Sequence, residues 1–475
     1  MADARGPHLA RGRPLDRISR HRRLPQGQGR ARVLLSGNRT DRTLPDPPVS
    51  LAPSGRIRLT ADWVVPVSSP PIEQGAVLVG SDGRIEAVGA AGRVPEPPGV
   101  VTQSFSGAAL MPGLVNAHTH LELTGLAGQV EESDFSAWIR GVRGVKAGLS
   151  AEWFAAAARQ GVRDGFAAGI TTVLDTGDSG VVLQALVDLG GAGVAYQEVF
   201  GPDPVQCDES MRGLRDRVLE LRPHARGRVR LGVSPHAPYT VSGPLYRAVA
   251  EFARAEGLPL AVHLAESPAE TMLVAGHVGP FAEAWNARGI PPVARHGDPS
   301  AAAQRSPVSW LDAHGVLGAD TLCIHTVQLD QADLDILVAR RAPVAHCPCS
   351  NTRHGHGNAP LGRLLAAGVR VGLGTDSVIS VGLLDLWAEM RAAAALAGLT
   401  PGQALALATV GGTRLIGTEL EVGWLGVGAF ADVIAVALAP ETEGLPVEAR
   451  LLAGGPGNVL ATFASGRPVF RRGGA

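Results

Sequence analysis

With 475 residues, 45% of them hydrophobic, the chain can bury a large core, and a formal net charge of −1 predicts neither nucleic acid nor an anionic membrane as a partner. Its four cysteines are too few for a disulfide framework, so we expect a reducing, cytoplasmic location. No stretch is apolar for the length of a membrane span, and the N-terminus lacks the apolar core of a signal peptide.

The first segment, residues 1–55, is rich in Arg, Pro and Gly and shows no apolar periodicity. This composition cannot bury enough apolar surface to offset the entropy of ordering, so we predict a disordered tail. A basic arm that binds nucleic acid, or a transit peptide, would be a more specific interpretation. A solvated tail, or a mis-assigned upstream start codon, is the simpler one.

Short strand patterns occupy both ends of the remaining chain. The runs RIRLTADWVVPV and GAVLVGSDGRIEAVGA follow the tail, and the second contains an Asp-Gly turn. Similar runs, GAFADVIAVAL and VLATFASGRPVF, close the chain. Because neither end holds enough strands for a stable sheet, we predict that residues 56–107 and 416–475 combine into one small flanking β-sandwich domain.

Between these ends, residues 108–415 alternate short β-rich runs with Ala- and Leu-rich helical stretches. The eight runs are, in order, ALMPGLVNAHTH, GITTVLDTGD, GVAYQEVFG, VRLGVSPHAPYT, PLAVHLAES, TLCIHTV, APVAHCPCSN and VRVGLGTDS. This alternation predicts an α/β fold, a (β/α)8 TIM barrel with insertions. The longest connection, 267–320, has a Gly, Pro and Ser content that predicts an irregular lid rather than one helix.

Polar residues follow nearly every run at its C-terminal end, where such barrels keep their active sites. His118 and His120 lie one residue apart at the end of the first run, so both imidazoles project to the same side of a strand. Later runs end in further candidates: His236, His263, His325, His346 and Asp376. Each histidine alone could be structural, but together such groups can surround one divalent ion.

These residues resemble a known family. The motifs PGLVNAHTHLE, VHLAES, IHT and GLGTDS, in this order, are similar to those of the amidohydrolase superfamily, in its branch of aminohydrolases that deaminate purine-type rings or dechlorinate triazines. The resemblance implies one Zn²⁺ or Fe²⁺ per chain, held by four ligands: His118, His120, His263 and Asp376.

The resemblance also implies the roles of three catalytic residues. A bound divalent ion would activate water, and Asp376 can accept the proton that this water loses. Glu266 would act in acid-base catalysis, protonating the ring nitrogen next to the attacked carbon, and His325 would orient the attack. A salt-bridged residue at the rim of the barrel is the simpler interpretation of Glu266.

Of two other metal chemistries, the residues present exclude a lysine-bridged binuclear site and disfavour the cytidine-deaminase fold. Members with two metals bridge them by a carboxylated lysine at the fourth strand, whereas the only lysine of this chain is Lys146, in a helical stretch after the first run. The segment HLE at 120–122 matches the H-x-E of cytidine deaminases, but the accompanying P-C-x-x-C is missing.

Four residues are candidates for substrate binding: His236, Arg353, Arg140 and His356. His236 resembles a position that contacts a nucleoside sugar, or else it supports the metal ligands. The loop HCPCSNTRHGHGNAPL clusters donors around Arg353 that suit a carboxylate, and Arg140 is the competing candidate. An exposed loop of ordinary turn residues is the alternative interpretation.

This loop and DFSAWIRGVR, residues 134–143, look most like the aminodeoxyfutalosine deaminases of menaquinone biosynthesis, whose substrate is an adenine nucleoside carrying a benzoate. The resemblance therefore implies hydrolysis of 6-amino-6-deoxyfutalosine to futalosine and ammonia, and a homodimer, as in many relatives. Deamination of S-adenosylhomocysteine, adenosine, guanine or a triazine, and dechlorination, remain open. A catalytically dead dihydropyrimidinase-like scaffold is remote, because every ligand and the acid are present.

Overall fold

The computed structural model describes residues 55–132, 134–293, 306–417 and 421–473. The predicted disordered tail, apart from its last residue, lies outside the described residues. Within them, the strands in chain order are Ile57–Val64 (β1), Ile72–Val79 (β2), Ile85–Ala90 (β3), Val101–Pro112 (β4), Leu114–Thr119 (β5), Ile170–Gly177 (β6), Ala192–Val199 (β7), Val229–Pro235 (β8), Leu260–Leu264 (β9), Thr321–His325 (β10), Val344–His346 (β11), Val371–Leu373 (β12), Val433–Ala437 (β13), Val459–Ala464 (β14) and Arg467–Arg471 (β15).

The eight strands β5 to β12 form a parallel sheet in which they follow one another in chain order. An isolated parallel bridge between Thr119 and Asp376 joins the first strand to the last and closes the sheet into a barrel. β6 and β7 are buried along their whole length, as expected of parallel strands covered on both faces. The eight predicted strands and the TIM-barrel fold are therefore confirmed.

Helices connect successive barrel strands and pack against them. In chain order the α-helices are Phe135–Lys146 (α1), Ala151–Ala167 (α2), Val181–Leu189 (α3), Cys207–Leu221 (α4), Gly243–Ala255 (α5), Pro268–Gly276 (α6), Pro280–Asn286 (α7), Pro307–Ala313 (α8), Gln331–Arg340 (α9), Pro348–Arg353 (α10), Leu361–Ala366 (α11), Val378–Val381 (α12), Leu386–Ala397 (α13), Pro401–Leu407 (α14), Val410–Thr413 (α15) and Val447–Leu452 (α16). None of the described helices combines the length and the hydrophobicity that a membrane crossing requires.

The long connection between β9 and β10 contains three short helices, α6, α7 and α8, in its described part. Each begins with a proline at its first position, where the missing N–H costs no hydrogen bond. Residues 294–305 of the predicted lid lie outside the described residues.

Strands from both chain ends form the second sheet, as predicted. It is one mixed seven-stranded sheet in the order β15-β14-β13-β4-β1-β2-β3, in which only β1 and β4 pair in parallel. β4 continues to Pro112, past the predicted boundary at residue 107, and the first barrel strand starts directly after Gly113. A Cβ atom on Gly113 would lie 2.3 Å from Thr171 Oγ1, so this tight passage between the two sheets requires glycine.

A buried ion pair fastens the flanking sheet to the barrel. Arg228, immediately before β8, donates through Nη1 to both carboxylate oxygens of Asp432 at 2.8 Å. The side chains are 11% and 1% exposed, respectively. Asp432 also accepts from the backbone N–H of Ser465 at 2.8 Å. The carboxylate therefore joins a barrel strand to two segments of the flanking sheet.

Replacing Arg228 by alanine would leave the carboxylate of Asp432 buried without its cation. We expect a loss of about 3 kcal/mol of unfolding free energy, measured by urea denaturation with intrinsic fluorescence. Arg222→Ala is the matched control, because it breaks an ion pair with Glu256 whose side chains are 46% and 40% exposed. Its cost should stay below about 1 kcal/mol. Equal losses in the two variants would contradict a structural role for the buried pair.

Candidate metal centre and active site

The four predicted metal ligands converge at the C-terminal end of the barrel. Single ring nitrogens of His118, His120 and His263 lie within 4.8 Å of one another. Asp376 Oδ1 lies 3.4 Å from Nε2 of His118 and 3.4 Å from Nε2 of His120. The first, fifth and eighth barrel strands thus bring three imidazoles and one carboxylate to one point.

The chemistry of this donor set fits a divalent metal ion. Both ring nitrogens of His118 are buried and make no hydrogen bond within the described part of the chain. Burial and the neighbouring imidazoles lower the pKa of His263 well below its usual value, and burial first, then the charge of His118, lowers the pKa of His120 to about 3. Neutral imidazoles with free lone pairs beside a carboxylate are typical zinc ligands. A buried, unpaired imidazole without such a partner would be costly.

Neighbouring groups fix the orientation of two of the imidazoles. His263 Nδ1 donates to the backbone carbonyl of His236 at 3.1 Å, and His120 Nδ1 lies 3.3 Å from Thr176 Oγ1. These contacts engage Nδ1 and leave Nε2 of each ring for the centre. Contacts that hold the second ring nitrogen set the tautomer and direction of metal-binding histidines.

Asp376 follows β12 with a left-handed backbone, φ +58°. Ser350 Oγ donates to its Oδ2 at 2.6 Å, which leaves Oδ1 towards the histidines. Burial by itself would raise the pKa of Asp376, but the nearby imidazoles of His118, His325 and His120 hold this pKa well below its usual value. The environment of Asp376 therefore favours the ionised carboxylate.

Glu266 lies beside this centre, on the turn after β9, and is 4% exposed. Its Oε1 lies 3.6 Å from His325 Nε2 and 3.7 Å from His356 Nδ1, and Tyr239 Oη donates to its Oε2 at 3.4 Å. Burial, followed by the charges of Asp376 and of Glu270 on α6, raises the pKa of Glu266 well above its usual value. The environment therefore favours the protonated acid.

His325 ends β10 with a left-handed backbone, φ +73°. Its Nδ1 lies 3.1 Å from Asn351 Oδ1, and its Nε2 lies 3.6 Å from Glu266 Oε1. Burial lowers the pKa of His325 well below its usual value. The sequence analysis predicted His325 at this place. It did not identify the supporting residues Asn351 and Ser350, because nothing in the segment CPCSN indicates which side chains they contact.

A cavity of about 700 Å³ opens beside these residues. His120, His263, Glu266, His325 and Asp376 line one part of it. Apolar and aromatic residues also line it: Leu123, Phe135, Trp138, Ile139, Val142, Phe154, Phe200 and Tyr239. Further polar groups in the lining include Lys146, Asp178, Glu198 and Gln206. A cavity of this size that combines aromatic rings with polar groups is typical of a small-molecule site.

Two of the four candidate substrate residues lie at the cavity or next to its acid. His236 lines the cavity, with Nδ1 2.7 Å from Thr240 Oγ1. His356 is buried next to Glu266 but is not among the residues that line the cavity. Glu198, which the sequence analysis missed, also lines the cavity, and its Oε1 has no hydrogen-bond partner among the described residues.

The structure does not bring the two candidate arginines to the cavity. Arg353 and Arg140 are exposed and lie outside its lining, and Arg140 donates to Ser136 Oγ at 2.6 Å. Arg143 and Arg288 line the cavity instead. Arg143 lies on the same face of α1 as the other lining residues of that helix, at spacings of three and four residues, and Arg140 does not.

The comparisons with known proteins agree with this geometry. The amidohydrolase family model matches residues 109–469. A 5-methylthioadenosine/S-adenosylhomocysteine deaminase of Moorella thermoacetica is 31% identical over 436 residues, which cover 88% of this chain and 95% of that protein. The structure of an adenosine deaminase from Xanthomonas campestris with bound zinc is similar with a TM-score of 0.75 and 28% identity, over 87% of this chain and 92% of that one.

A further solved structure shares the fold. The aminofutalosine deaminase of Helicobacter pylori, in complex with methylthio-coformycin, has a TM-score of 0.71 and 21% identity, over 87% of this chain and 100% of that one. The matched motifs, the barrel and the converging ligands agree. The chain belongs to the amidohydrolase family and is a hydrolase that acts on carbon–nitrogen bonds.

Proposed function

We propose that the protein is a metal-dependent hydrolytic deaminase of an adenine-type nucleoside. The observation that carries the proposal is the pair Glu266 and Asp376, two buried carboxyl groups at one cavity whose pKa values are moved in opposite directions. Such a pair supplies one proton donor and one proton acceptor in the same site. The names of the adenosine and 5-methylthioadenosine/S-adenosylhomocysteine deaminases among its relatives support an adenine ring as the substrate.

Each of these residues has a role in the proposed hydrolysis. His118, His120, His263 and Asp376 would hold one divalent ion, which when bound would act as a Lewis acid and make the attacking water more acidic. Asp376 takes up the proton that this water loses on attack at the amino-bearing ring carbon. Glu266 protonates the adjacent ring nitrogen, and His325 hydrogen-bonds the developing alkoxide. The amino group then leaves as ammonia after receiving a proton.

The cavity supports a nucleoside with a large 5′ substituent. Its aromatic lining suits an apolar group, and Arg143 and Arg288 would bind a carboxylate. We therefore propose 6-amino-6-deoxyfutalosine, which carries a benzoate, as the first candidate substrate. 5-Methylthioadenosine and S-adenosylhomocysteine are the second candidates, because the curated relatives bear these names.

The first prediction concerns the metal. Zinc added to metal-free protein should saturate at one tightly bound ion per chain and raise the unfolding free energy by about 2.7 kcal/mol at a free zinc concentration 100 times the dissociation constant. His118→Ala should abolish this binding, because it removes a ligand, whereas His224→Ala, on an exposed turn, should not. Calorimetric titration measures zinc binding to each protein, and urea denaturation measures the unfolding free energy. Saturation at two tight ions would contradict the mononuclear site.

The second prediction concerns the acid. Glu266→Gln keeps the size of the side chain but cannot donate the proton, so kcat should fall by about 10²- to 10⁴-fold while one zinc per chain is retained. Glu251→Gln, on the exposed face of α5, is the matched control and should keep normal turnover. Near-normal turnover of Glu266→Gln would favour a structural role instead.

The third prediction concerns the substrate. Ammonia release and the absorbance change of the ring would be measured with 6-amino-6-deoxyfutalosine, 5-methylthioadenosine, S-adenosylhomocysteine, adenosine and guanine. We expect turnover of the adenine nucleosides, the highest kcat/KM for the first, and none for guanine. Turnover of guanine alone would refute the adenine proposal.

Arginine variants locate the carboxylate contact within the same assay. Arg143→Ala should lower kcat/KM by about 10-fold or more for the carboxylate-bearing substrates and leave adenosine unchanged, because a charged hydrogen bond contributes about 1.5–3 kcal/mol. Arg140→Ala, one turn earlier on α1 but off the cavity face, is the control. An effect of Arg140→Ala or Arg353→Ala in place of Arg143→Ala would move the contact to the arginines first considered from the sequence.

A further inference from the structure

Glu270, in the first turn of α6, has a carboxylate that is completely buried, with 0% exposure. Its Oε1 accepts from the backbone N–H of Ala265 at 2.7 Å, and its Oε2 accepts from the backbone N–H of Glu266 at 3.0 Å. No arginine or lysine among the described residues forms an ion pair with it. Burying a carboxylate without a cation is costly, and burial raises the pKa of Glu270 to about 8, whereas the hydrogen bonds from the backbone N–H groups of Glu266 and Ala265 lower this pKa and favour the ionised form.

The turn that Glu270 holds has an unfavourable backbone conformation. Ala265 has φ +51°, a left-handed value that costs a non-glycine residue about 1–2 kcal/mol. On the opposite side of this peptide, the carbonyl of Ala265 accepts from the N–H groups of Val327 and Gln328, both at 2.8 Å. The turn is therefore clamped between the carboxylate of α6 and the segment that follows β10.

This clamp joins the two strand ends that carry Glu266 and His325. The segment after β10 starts with His325 and Thr326, both left-handed at φ +73° and +47°. Thr326 also donates its N–H to the carbonyl of Leu264 at 2.9 Å. The two strained turns thus hold each other, and the result is the 3.6 Å approach of His325 Nε2 to Glu266 Oε1.

We propose that Glu270 is a positioning residue, whose two hydrogen bonds fix the turn at residues 264–266 and aim the side chain of Glu266 at the reacting ring. Without its carboxylate, two buried N–H groups would lose their acceptors, and only the contacts with the segment after β10 would still hold the left-handed turn. Glu270 itself does not line the cavity. The kinetic part of this inference rests on the proposed function, and its structural part does not.

The test is Glu270→Gln in the zinc-loaded protein, with two readouts. Amide hydrogen exchange should become faster in the peptide that contains residues 264–267, because the amide side chain offers one acceptor where the carboxylate offers two. The kcat for the adenine nucleoside should fall by about 10²-fold, with KM changed less than about threefold, since a displaced acid affects the reaction more than binding. Zinc content should remain that of the unmodified protein.

Asp333→Asn is the matched control. Asp333 is 3% exposed and accepts from the backbone N–H of Asp330 at 3.2 Å, at the start of α9 and outside the cavity lining. The Asp333→Asn variant should be less stable than the unmodified protein, without a change in kcat or in amide exchange at residues 264–267. If Glu270→Gln does not fold, Glu270→Asp replaces it, because its carboxylate is one methylene too short to reach both N–H groups, and both readouts should move in the same direction.

Unchanged exchange at residues 264–267 would overturn the proposal, as would a change in KM alone or an equal fall of kcat in Asp333→Asn. If the unmodified protein deaminates none of the nucleosides, the proposed function fails on that result. The exchange measurement then still decides whether Glu270 fixes the turn.

Discussion

The closing contact of the barrel is the constraint on which the candidate metal centre depends. Asp376 donates its backbone N–H to the carbonyl of His118 at 3.0 Å, and a parallel bridge joins it to Thr119. The chain comes this close because Gly374 directly follows the last barrel strand, β12: a Cβ there would lie 2.6 Å from the backbone nitrogen of His118. Candidate ligands about 250 residues apart in the chain become neighbours only when the barrel closes.

Backbone strain is present where the chemistry is. Four of the ten described non-glycine residues with positive φ follow or end the barrel strands β9, β10 and β12: Ala265, His325, Thr326 and Asp376. Each such conformation costs free energy and persists only where surrounding contacts enforce it. In return, the polar side chains at these ends point into one cavity before any substrate arrives. Such prior orientation is the main contribution that a rigid fold makes to a reaction.

The sequence could predict the barrel, its order of strands and the convergence of the ligands, because these follow from local patterns. The i, i+2 spacing of His118 and His120 and the polar end of each run need no tertiary information. Which face of a helix meets the cavity does require tertiary information. The sequence does not distinguish Arg140 from Arg143, and only the packing of α1 places Arg143 at the cavity. The contact of Ser350 with Asp376 likewise joins elements whose relative placement no local pattern records.

Lys146, the only lysine in the sequence, forms two ion pairs at the end of α1. Lys146 Nζ lies 2.8 Å from Glu122 Oε1 and 2.7 Å from Asp178 Oδ1. Burial alone would lower the pKa of Lys146, but these two carboxylates raise it above its usual value. A lysine held as a cation cannot become carboxylated, since that reaction needs the neutral amine. Lys146 instead ties the end of α1 to the ends of β5 and β6, and α1 is the helix that presents Arg143 to the cavity. The ion pairs of this lysine therefore also hold α1 at one wall of the cavity.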